Sequence, residues 1–191
     1  MSASIRSREW ATLPFADPAE DLRRLRKVEI EVAASIADVR IRSLRTHGLA
    51  SERSRRDAAL FSHGMSTKLG MKVLYSSVEN DDFDFITATE TPEGWVFTPV
   101  QLKELVPADN NETVSLERLF GGLRKYVDSL DLVVALYVNR RMRLEFSQIP
   151  QPQLPVAEVW LFGAASEDQS TWLLYGDVMR QPSFHSYAYP A

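Results

Sequence analysis

The segment "DFDFITATETPEGWVFTPVQLKEL", residues 82–105, decides the fold that we expect this chain to adopt. Its two halves alternate apolar and polar residues, which is the pattern of half-buried strands. Between them, "TPEG" (residues 91–94) has Pro in the second place and Gly in the last, a favoured order for a type I turn. The segment therefore predicts a β-hairpin in which Glu90 pairs with Trp95.

This register gathers four polar side chains on one face of the hairpin. Asp84 lies across from Gln101 and Asp82 across from Lys103, and cross-strand partners share a face. Two interpretations remain open: a solvated face with an ordinary cross-strand ion pair, or a metal-dependent site. Carboxylate and amide oxygens are ligands that suit magnesium, and a nearby lysine can activate water. The other face is predicted to meet the core, and it carries Phe83, Phe85, Val96, Val100 and Leu102.

The composition indicates one domain with a substantial core. The chain has 191 residues, of which 45% are hydrophobic, and its ten prolines and eight glycines are not concentrated in any low-complexity run. The absence of cysteine excludes disulfides and thiolate metal sites. The N-terminal residues lack an apolar signal core, and the longest apolar run is too short for a membrane helix. We therefore expect a cytoplasmic protein with no membrane partner.

The charge is unevenly distributed. The net charge is −4, yet residues 22–56 carry ten Lys or Arg against four Asp or Glu. Such a segment either faces a polyanion or is the solvated face of a long helix, and the sequence leaves both open. If it faces nucleic acid, the candidate binding residues are Arg40, Arg42, Arg45, Arg55 and Arg56.

A long N-terminal helix is predicted to start at Pro18 behind the capping residue Asp17 and to end before Gly48. Its apolar residues recur at spacings of three and four: Leu22, Leu25, Val28, Val32, Ile36 and Val39. Such a helix needs a partner, either the main domain or a second copy of the chain, so a homodimer through it is one possibility. We divide the chain into a segment with this amphipathic basic helix, residues 1–50, and an α/β domain, residues 51–191.

The rest of the chain alternates helices and strands, which predicts an α/β fold with a central mixed sheet between helices. Helices are expected over residues 52–69 and 115–130, and the tail after Gln181 is expected to be irregular. The predicted strands, besides the hairpin, lie in "MKVLYSS" (71–77), "DLVVALYVNR" (131–140), "RMRLEF" (141–146), "VAEVWLFG" (156–163) and "STWLLYGDVM" (170–179).

Three segments together resemble the PD-(D/E)XK nuclease superfamily, in particular its Mrr-type restriction endonuclease-like branch. They are the aspartate strand "FDFITA" (83–88), the lysine strand "TPVQLKE" (98–104), and the preceding helix and strand "RRDAALFSHGMSTKLGMKVLYSS" (55–77). The resemblance implies a three-layer α/β/α restriction-endonuclease-like fold with a central mixed sheet, here preceded by the long N-terminal helix. The chain departs from the pattern because no Pro precedes Asp84 and because Gln101 replaces an acid.

The resemblance also assigns roles to individual residues. Asp84 corresponds to the metal-binding aspartate, Gln101 to the second acid as a further metal ligand, and Lys103 to the motif lysine that orients or activates water. The family often has an acid on its first core helix, for which Asp57 is our candidate as a catalytic residue and metal ligand, with Glu52 second. Asp57 is equally well explained as a first-turn acid favoured by the helix dipole.

These roles imply a Mg²⁺- or Mn²⁺-dependent phosphodiester hydrolase, a DNA endonuclease with nucleic acid as its partner. The alternative is a catalytically inactive nuclease-fold protein or a helical interaction protein, which binds a protein or nucleic acid without cleaving it. Dependence on a divalent metal separates these two hypotheses.

Overall fold

The computed structural model describes residues 8–35, 50–78, 80–107, 115–126, 129–140, 149 and 153–191. Three helices lie in these ranges: α1 (Pro18–Ser35), α2 (Ala50–Leu69) and α3 (Leu116–Leu123). The strands are β1 (Val73–Ser76), β2 (Phe85–Thr91), β3 (Gly94–Leu105), β4 (Ser129–Val138), β5 (Val156–Ala164), β6 (Thr171–Gly176) and β7 (Ser183–Ala188). No helix among the described residues is long and apolar enough to cross a membrane.

All seven strands form one mixed sheet whose spatial order follows the chain from β1 to β7. The first three strands are antiparallel, β3 to β5 are parallel, and β5 to β7 are antiparallel again. Consecutive parallel strands need a long connection that crosses a face of the sheet, and the connection from β3 to β4 contains α3. The prediction of an α/β fold with a mixed central sheet is confirmed.

The sheet has a hydrophobic core on each face. Helices α1 and α2 cover one face, whose largest buried side chains are Leu22, Phe61, Tyr75, Phe85, Phe162 and Trp172. Helix α3 and the segment before α1 cover the other, where Ile86, Leu105, Leu123, Leu136 and Leu161 are fully buried. We call these the α1/α2 face and the α3 face. Each such side chain contributes about 1.5–3 kcal/mol by leaving water.

The hairpin has the predicted register. Glu90 pairs with Trp95, and the ladder extends one pair further to Thr91 and Gly94. The turn is closed by a 2.8 Å hydrogen bond that the Thr91 hydroxyl donates to the carbonyl of Gly94. Gly94 has a φ of +123°, which a residue with a Cβ rarely adopts, so glycine is required there.

The predicted division of the hairpin into a core face and a solvated face is wrong. Phe85 and Val100 lie in the core of the α1/α2 face, but Phe83 packs into the core of the α3 face. The alternation breaks because residues 80–83 form a tight turn, with a 3.0 Å bond from Asn80 N–H to the Phe83 carbonyl. Val96 is 49% exposed because it lies near the hairpin tip.

The helices begin close to the residues predicted from the sequence, whereas α3 ends earlier than predicted. The Asp17 carboxylate accepts a 2.9 Å bond from Ala19 N–H, which caps α1 at the predicted position. Its predicted continuation to residue 47 lies outside the described residues, as does the predicted strand at 141–146. Helix α3 was expected to reach residue 130 but ends at Leu123, because the adjacent Gly121 and Gly122 are weak helix formers.

The tail after Gln181, predicted to be irregular, forms the edge strand β7 paired with β6. Tyr187 fixes this strand to α2, because its hydroxyl donates a 3.1 Å bond to the Leu60 carbonyl. The Tyr187 ring lies over Gly64, where any side chain would collide with it. The strand depends on this tertiary contact, which sequence alternation did not indicate.

An ionic network joins α1, α2 and β1 at the rim of the α1/α2 face. The Asp21 carboxylate accepts bonds from Arg55 Nη2 at 2.7 Å and from the Tyr75 hydroxyl at 2.6 Å. Burial alone would raise the pKa of Asp21, but the bonds from Tyr75 and Arg55 outweigh it and hold that pKa below its ordinary value of 3.8.

We expect Asp21→Asn to destabilise the protein most above pH 3.8, by about 1–3 kcal/mol, because the lost bonds are charge-assisted. A lowered carboxylate pKa contributes stability that is present above the unfolded-state pKa and lost as the pH falls through the folded-state pKa. The difference from wild type should therefore shrink below pH 3.8 in urea unfolding series. Tyr75→Phe should show the same trend with a smaller amplitude; a difference that stays constant with pH would contradict this account.

Gly64→Ala should destabilise the protein by about 1–3 kcal/mol through overpacking. Its Cβ would lie 2.8 Å from Tyr187 Cε1 and 2.9 Å from Cζ. The matched control is Gly121→Ala in α3, where a Cβ meets nothing within 4 Å and should add about 0.5–1 kcal/mol of stability. Urea unfolding midpoints measure both, and equal midpoints for the two variants would show that β7 does not pack on α2 as described.

Candidate functional site

Asp84 and Gln101 meet on the α3 face, where the hairpin register brings them together as predicted. Asp84 N–H donates a 3.0 Å bond to the carbonyl of Val100. Its carboxylate Oδ2 accepts a 2.6 Å bond from Leu102 N–H and a second bond from the Gln101 carboxamide. The carboxylate thus takes the place of a main-chain acceptor just before the start of β2, which fixes its orientation.

Lys103 lies on the same face as Gln101, because side chains two apart on a strand share a face. Both line a cavity of about 780 Å³ on the α3 face, which is within the range of small-molecule sites. Asp82 was expected across from Lys103 in the ladder. It lies instead in the turn before β2, yet it lines the same cavity.

The cavity is bounded by parts of the chain that are far apart in sequence. Glu9 and Trp10 come from the segment before α1, and Lys125 and Tyr126 follow α3. The Trp10 ring is held edge-on against Phe83, with ring centroids 5.9 Å apart. These four residues were not among the sequence-based candidates, and only the early end of α3 brings Lys125 and Tyr126 to the site.

Tyr126 lies between two lysines. The ammonium of Lys125 is 5.5 Å from the ring centroid and that of Lys103 is 6.0 Å away, both within cation–π range. Burial raises the pKa of the Tyr126 hydroxyl, the charge of Lys125 opposes this rise, and the charge of Asp84 adds to it. Tyr126 is therefore a neutral phenol at physiological pH, within electrostatic range of Asp84.

The structure does not bring Asp57 to the other candidates, which corrects its predicted role as their partner in a metal site. Asp57 is 7% exposed, and its carboxylate lies 3.9 Å from the Arg56 guanidinium on α2. Burial raises the pKa of the neighbouring Tyr137 to about 12, with Arg56 opposing and Asp57 adding to the rise. Tyr137 belongs to the α1/α2 face, so the sheet separates Asp57 from Lys103. Glu52, the second candidate, is on the same helix.

Two of the predicted nucleic-acid contacts have intramolecular partners. Arg55 is bonded to Asp21, and Arg56 Nε lies 2.7 Å from the Glu29 carboxylate. Arg56 is only 8% exposed and also donates a 2.7 Å bond to the side chain of Gln169. A guanidinium in this position cannot reach a phosphate without leaving its partners, so Arg56 is corrected to a structural residue.

The remaining predicted contacts, Arg40, Arg42 and Arg45, lie outside the described residues. Of the sequence-based site candidates, Gln101 and Lys103 line one cavity and Asp84 is bonded to Gln101 beside it, whereas Asp57, Arg55 and Arg56 lie on the α1/α2 face. Comparisons with protein-family models, with curated proteins and with solved structures found no match to this chain.

Proposed function

We propose that the cavity on the α3 face is the active site of a Mg²⁺- or Mn²⁺-dependent phosphodiester hydrolase that cleaves DNA. The observation that carries the proposal is the fixed carboxylate of Asp84, held at 2.6 Å by Leu102 N–H beside Gln101. Gln101 and Lys103 line the cavity and Asp84 is bonded to Gln101, so three residue types needed for metal-assisted hydrolysis lie close together.

The architecture supports the finer proposal of a restriction-endonuclease-like fold. Helices α1 and α2, the sheet, and α3 make three layers around a mixed sheet. The aspartate is located just before the second strand, the Gln-x-Lys sequence is on the third, and a helix precedes the parallel fourth strand. This is the order of elements that the sequence resemblance implies.

The donor set fits magnesium held by few protein ligands. Asp84 would provide a carboxylate oxygen and Gln101 its carboxamide oxygen, both hard donors. Among the described residues no group of three or more His, Asp or Glu is arranged to hold a metal, so water and substrate phosphate would complete the shell. When bound, the ion would stabilise the negative charge that develops on the phosphate oxygens.

The charges of the cavity also favour a bound cation. Its lining carries more carboxylates than ammonium groups, with Glu9, Asp81, Asp82 and Asp131 against Lys103 and Lys125. This excess negative charge weakens the attraction of the site for a phosphodiester. A bound divalent cation would offset it and strengthen substrate binding.

Lys103 is the residue that we assign to the attacking water. Its side chain lies on the cavity wall two residues from Gln101. As an ammonium group it can orient the water, and as a neutral amine it can accept a proton from the water. The ring of Tyr126, 6.0 Å from the Lys103 ammonium, limits where this flexible side chain can go. Asp84 and Gln101 would bind the ion, and Lys103 would hold or move a proton at the attacking water.

Purified protein should nick or cut plasmid DNA with Mg²⁺ or Mn²⁺ and not with EDTA. Lys103→Ala and Asp84→Asn should each lower the rate by at least ~100-fold, because each removes a group that acts on the reacting atoms. Agarose gel assays measure the rate, and circular dichroism and melting should remain close to wild type.

The matched control is Lys72→Ala, which removes an exposed lysine whose side chain is 64% accessible and far from the cavity lining. It should cut at the wild-type rate. Cutting by Lys103→Ala at that rate would refute the assignment. Binding of DNA by a wild-type protein that never cuts it would favour the inactive nuclease-fold alternative.

Gln101→Glu should bind Mg²⁺ or Mn²⁺ more tightly than wild type, because a carboxylate is a stronger ligand for a hard cation than a neutral amide. Titration calorimetry measures the affinity. The matched control is Gln153→Glu, which adds the same charge at an exposed position outside the cavity lining. An equal change in both variants would show that Gln101 does not contact the ion.

A further inference from the structure

Lys125 and Tyr126 line a part of the cavity to which the proposed hydrolysis assigns no contact with the substrate. They follow the C-terminal end of α3, and the ammonium groups of Lys125 and Lys103 lie 5.5 Å and 6.0 Å from the centroid of the Tyr126 ring. Tyr126 is half-buried and Lys125 is exposed, so one holds its position while the other reaches solvent. Trp10, also half-buried, lines the same cavity from the segment before α1.

These side chains have the chemistry of a nucleotide site. An aromatic ring provides a surface on which a nucleobase can stack, whatever its sequence, and an ammonium group beside it pairs with the phosphate. The Tyr126 hydroxyl stays protonated because burial raises its pKa, so the ring adds no negative charge against the phosphate. An aromatic ring flanked by two ammonium groups is therefore suited to one nucleotide.

The location of the ring within a cavity restricts which nucleic acid can use it. In a duplex the base faces are stacked on each other and none is available to a protein ring. A base can therefore lie on Tyr126 only if it is unpaired. The cavity, of about 780 Å³, has room for a single extruded or terminal nucleotide.

We propose that Tyr126 and Lys125 bind one unstacked nucleotide next to the scissile phosphate, so that the substrate is single-stranded nucleic acid or a frayed duplex end. Tyr126 carries the base, Lys125 pairs with its phosphate, and Lys103 remains with the reacting phosphate. This inference rests on the proposed function for the identity of the neighbouring phosphate, but the binding that it describes is measured without cleavage.

The test is fluorescence anisotropy in EDTA with a fluorescein-labelled oligothymidylate and with a blunt duplex of equal length. Tyr126→Leu keeps the apolar bulk but removes the aromatic face, and should weaken single-strand binding by about 5- to 150-fold, the range for one lost base stack. Tyr126→Phe should bind the single strand as wild type does. Duplex binding should be unchanged in both variants.

Two further variants test the ammonium group and the specificity of the aromatic effect. Lys125→Gln should lower the slope of log affinity against log salt on the single strand by about 0.7, the value for one phosphate contact. Trp95→Ala removes an aromatic residue that is 48% exposed at the hairpin tip and should leave binding unchanged. Melting temperatures of Tyr126→Leu and Tyr126→Phe are compared first, so that a folding defect is recognised.

Wild-type single-strand affinity in Tyr126→Leu would overturn the inference, as would an equal loss on single strand and duplex. An equal loss in Tyr126→Leu and Tyr126→Phe at matched melting temperatures would overturn it too, because the ring would then not be the binding surface. The test measures binding only, so a change in cleavage does not affect its outcome. A protein that binds as described but never cuts DNA refutes the hydrolase and leaves this site standing.

Discussion

The pairing of β3 with β4 is the constraint on which the rest of the structure depends. These parallel strands are the third and fourth of the seven in the sheet, and their register pairs Lys103 with Leu136 and Glu104 with Tyr137. A slip of one residue would move Lys103 into the apolar core of the α1/α2 face and Leu102 to the polar cavity of the α3 face. Because that exchange would cost the core several large side chains, the register is fixed, and so is the face on which Gln101 and Lys103 lie.

Asp84 connects this constraint to the candidate site. Its carboxylate accepts the Leu102 N–H, a donor that belongs to β3, and thereby completes the hydrogen bonding at the end of the hairpin. The same carboxylate accepts a bond from the carboxamide of Gln101, which lines the cavity. One side chain therefore has a structural and a chemical role, and its position relative to Gln101 is determined by the strand pairing and does not depend on a mobile loop.

Two charged regions among the described residues differ in their surroundings. On the α1/α2 face, Asp21 is matched by Arg55 and Tyr75, and Glu29 by Arg56. These groups form hydrogen bonds and ion pairs with one another, which buried charges require, and these contacts hold the helices to the sheet. On the α3 face the carboxylates and lysines line an open cavity in which water or a ligand has access to them. We infer that the charged groups paired with one another on the α1/α2 face stabilise the structure, whereas those that line the cavity can bind a ligand.

The sequence by itself determined the hairpin and the meeting of Asp84 with Gln101. Turn residues and period-two alternation are local signals, and an antiparallel ladder propagates one correct pair to all others. It also located the start of α1, where Asp17 caps the helix, and it predicted a start for α2 within two residues of Ala50. The tertiary structure alone decided that β7 exists, since that strand is held by Tyr187 on α2. It alone decided that Asp57 does not stand near Lys103, because the face that α2 covers is set by packing. It also assembled Trp10, Lys125 and Tyr126 around Lys103, because contacts between residues so distant in sequence leave no periodic signal along the chain.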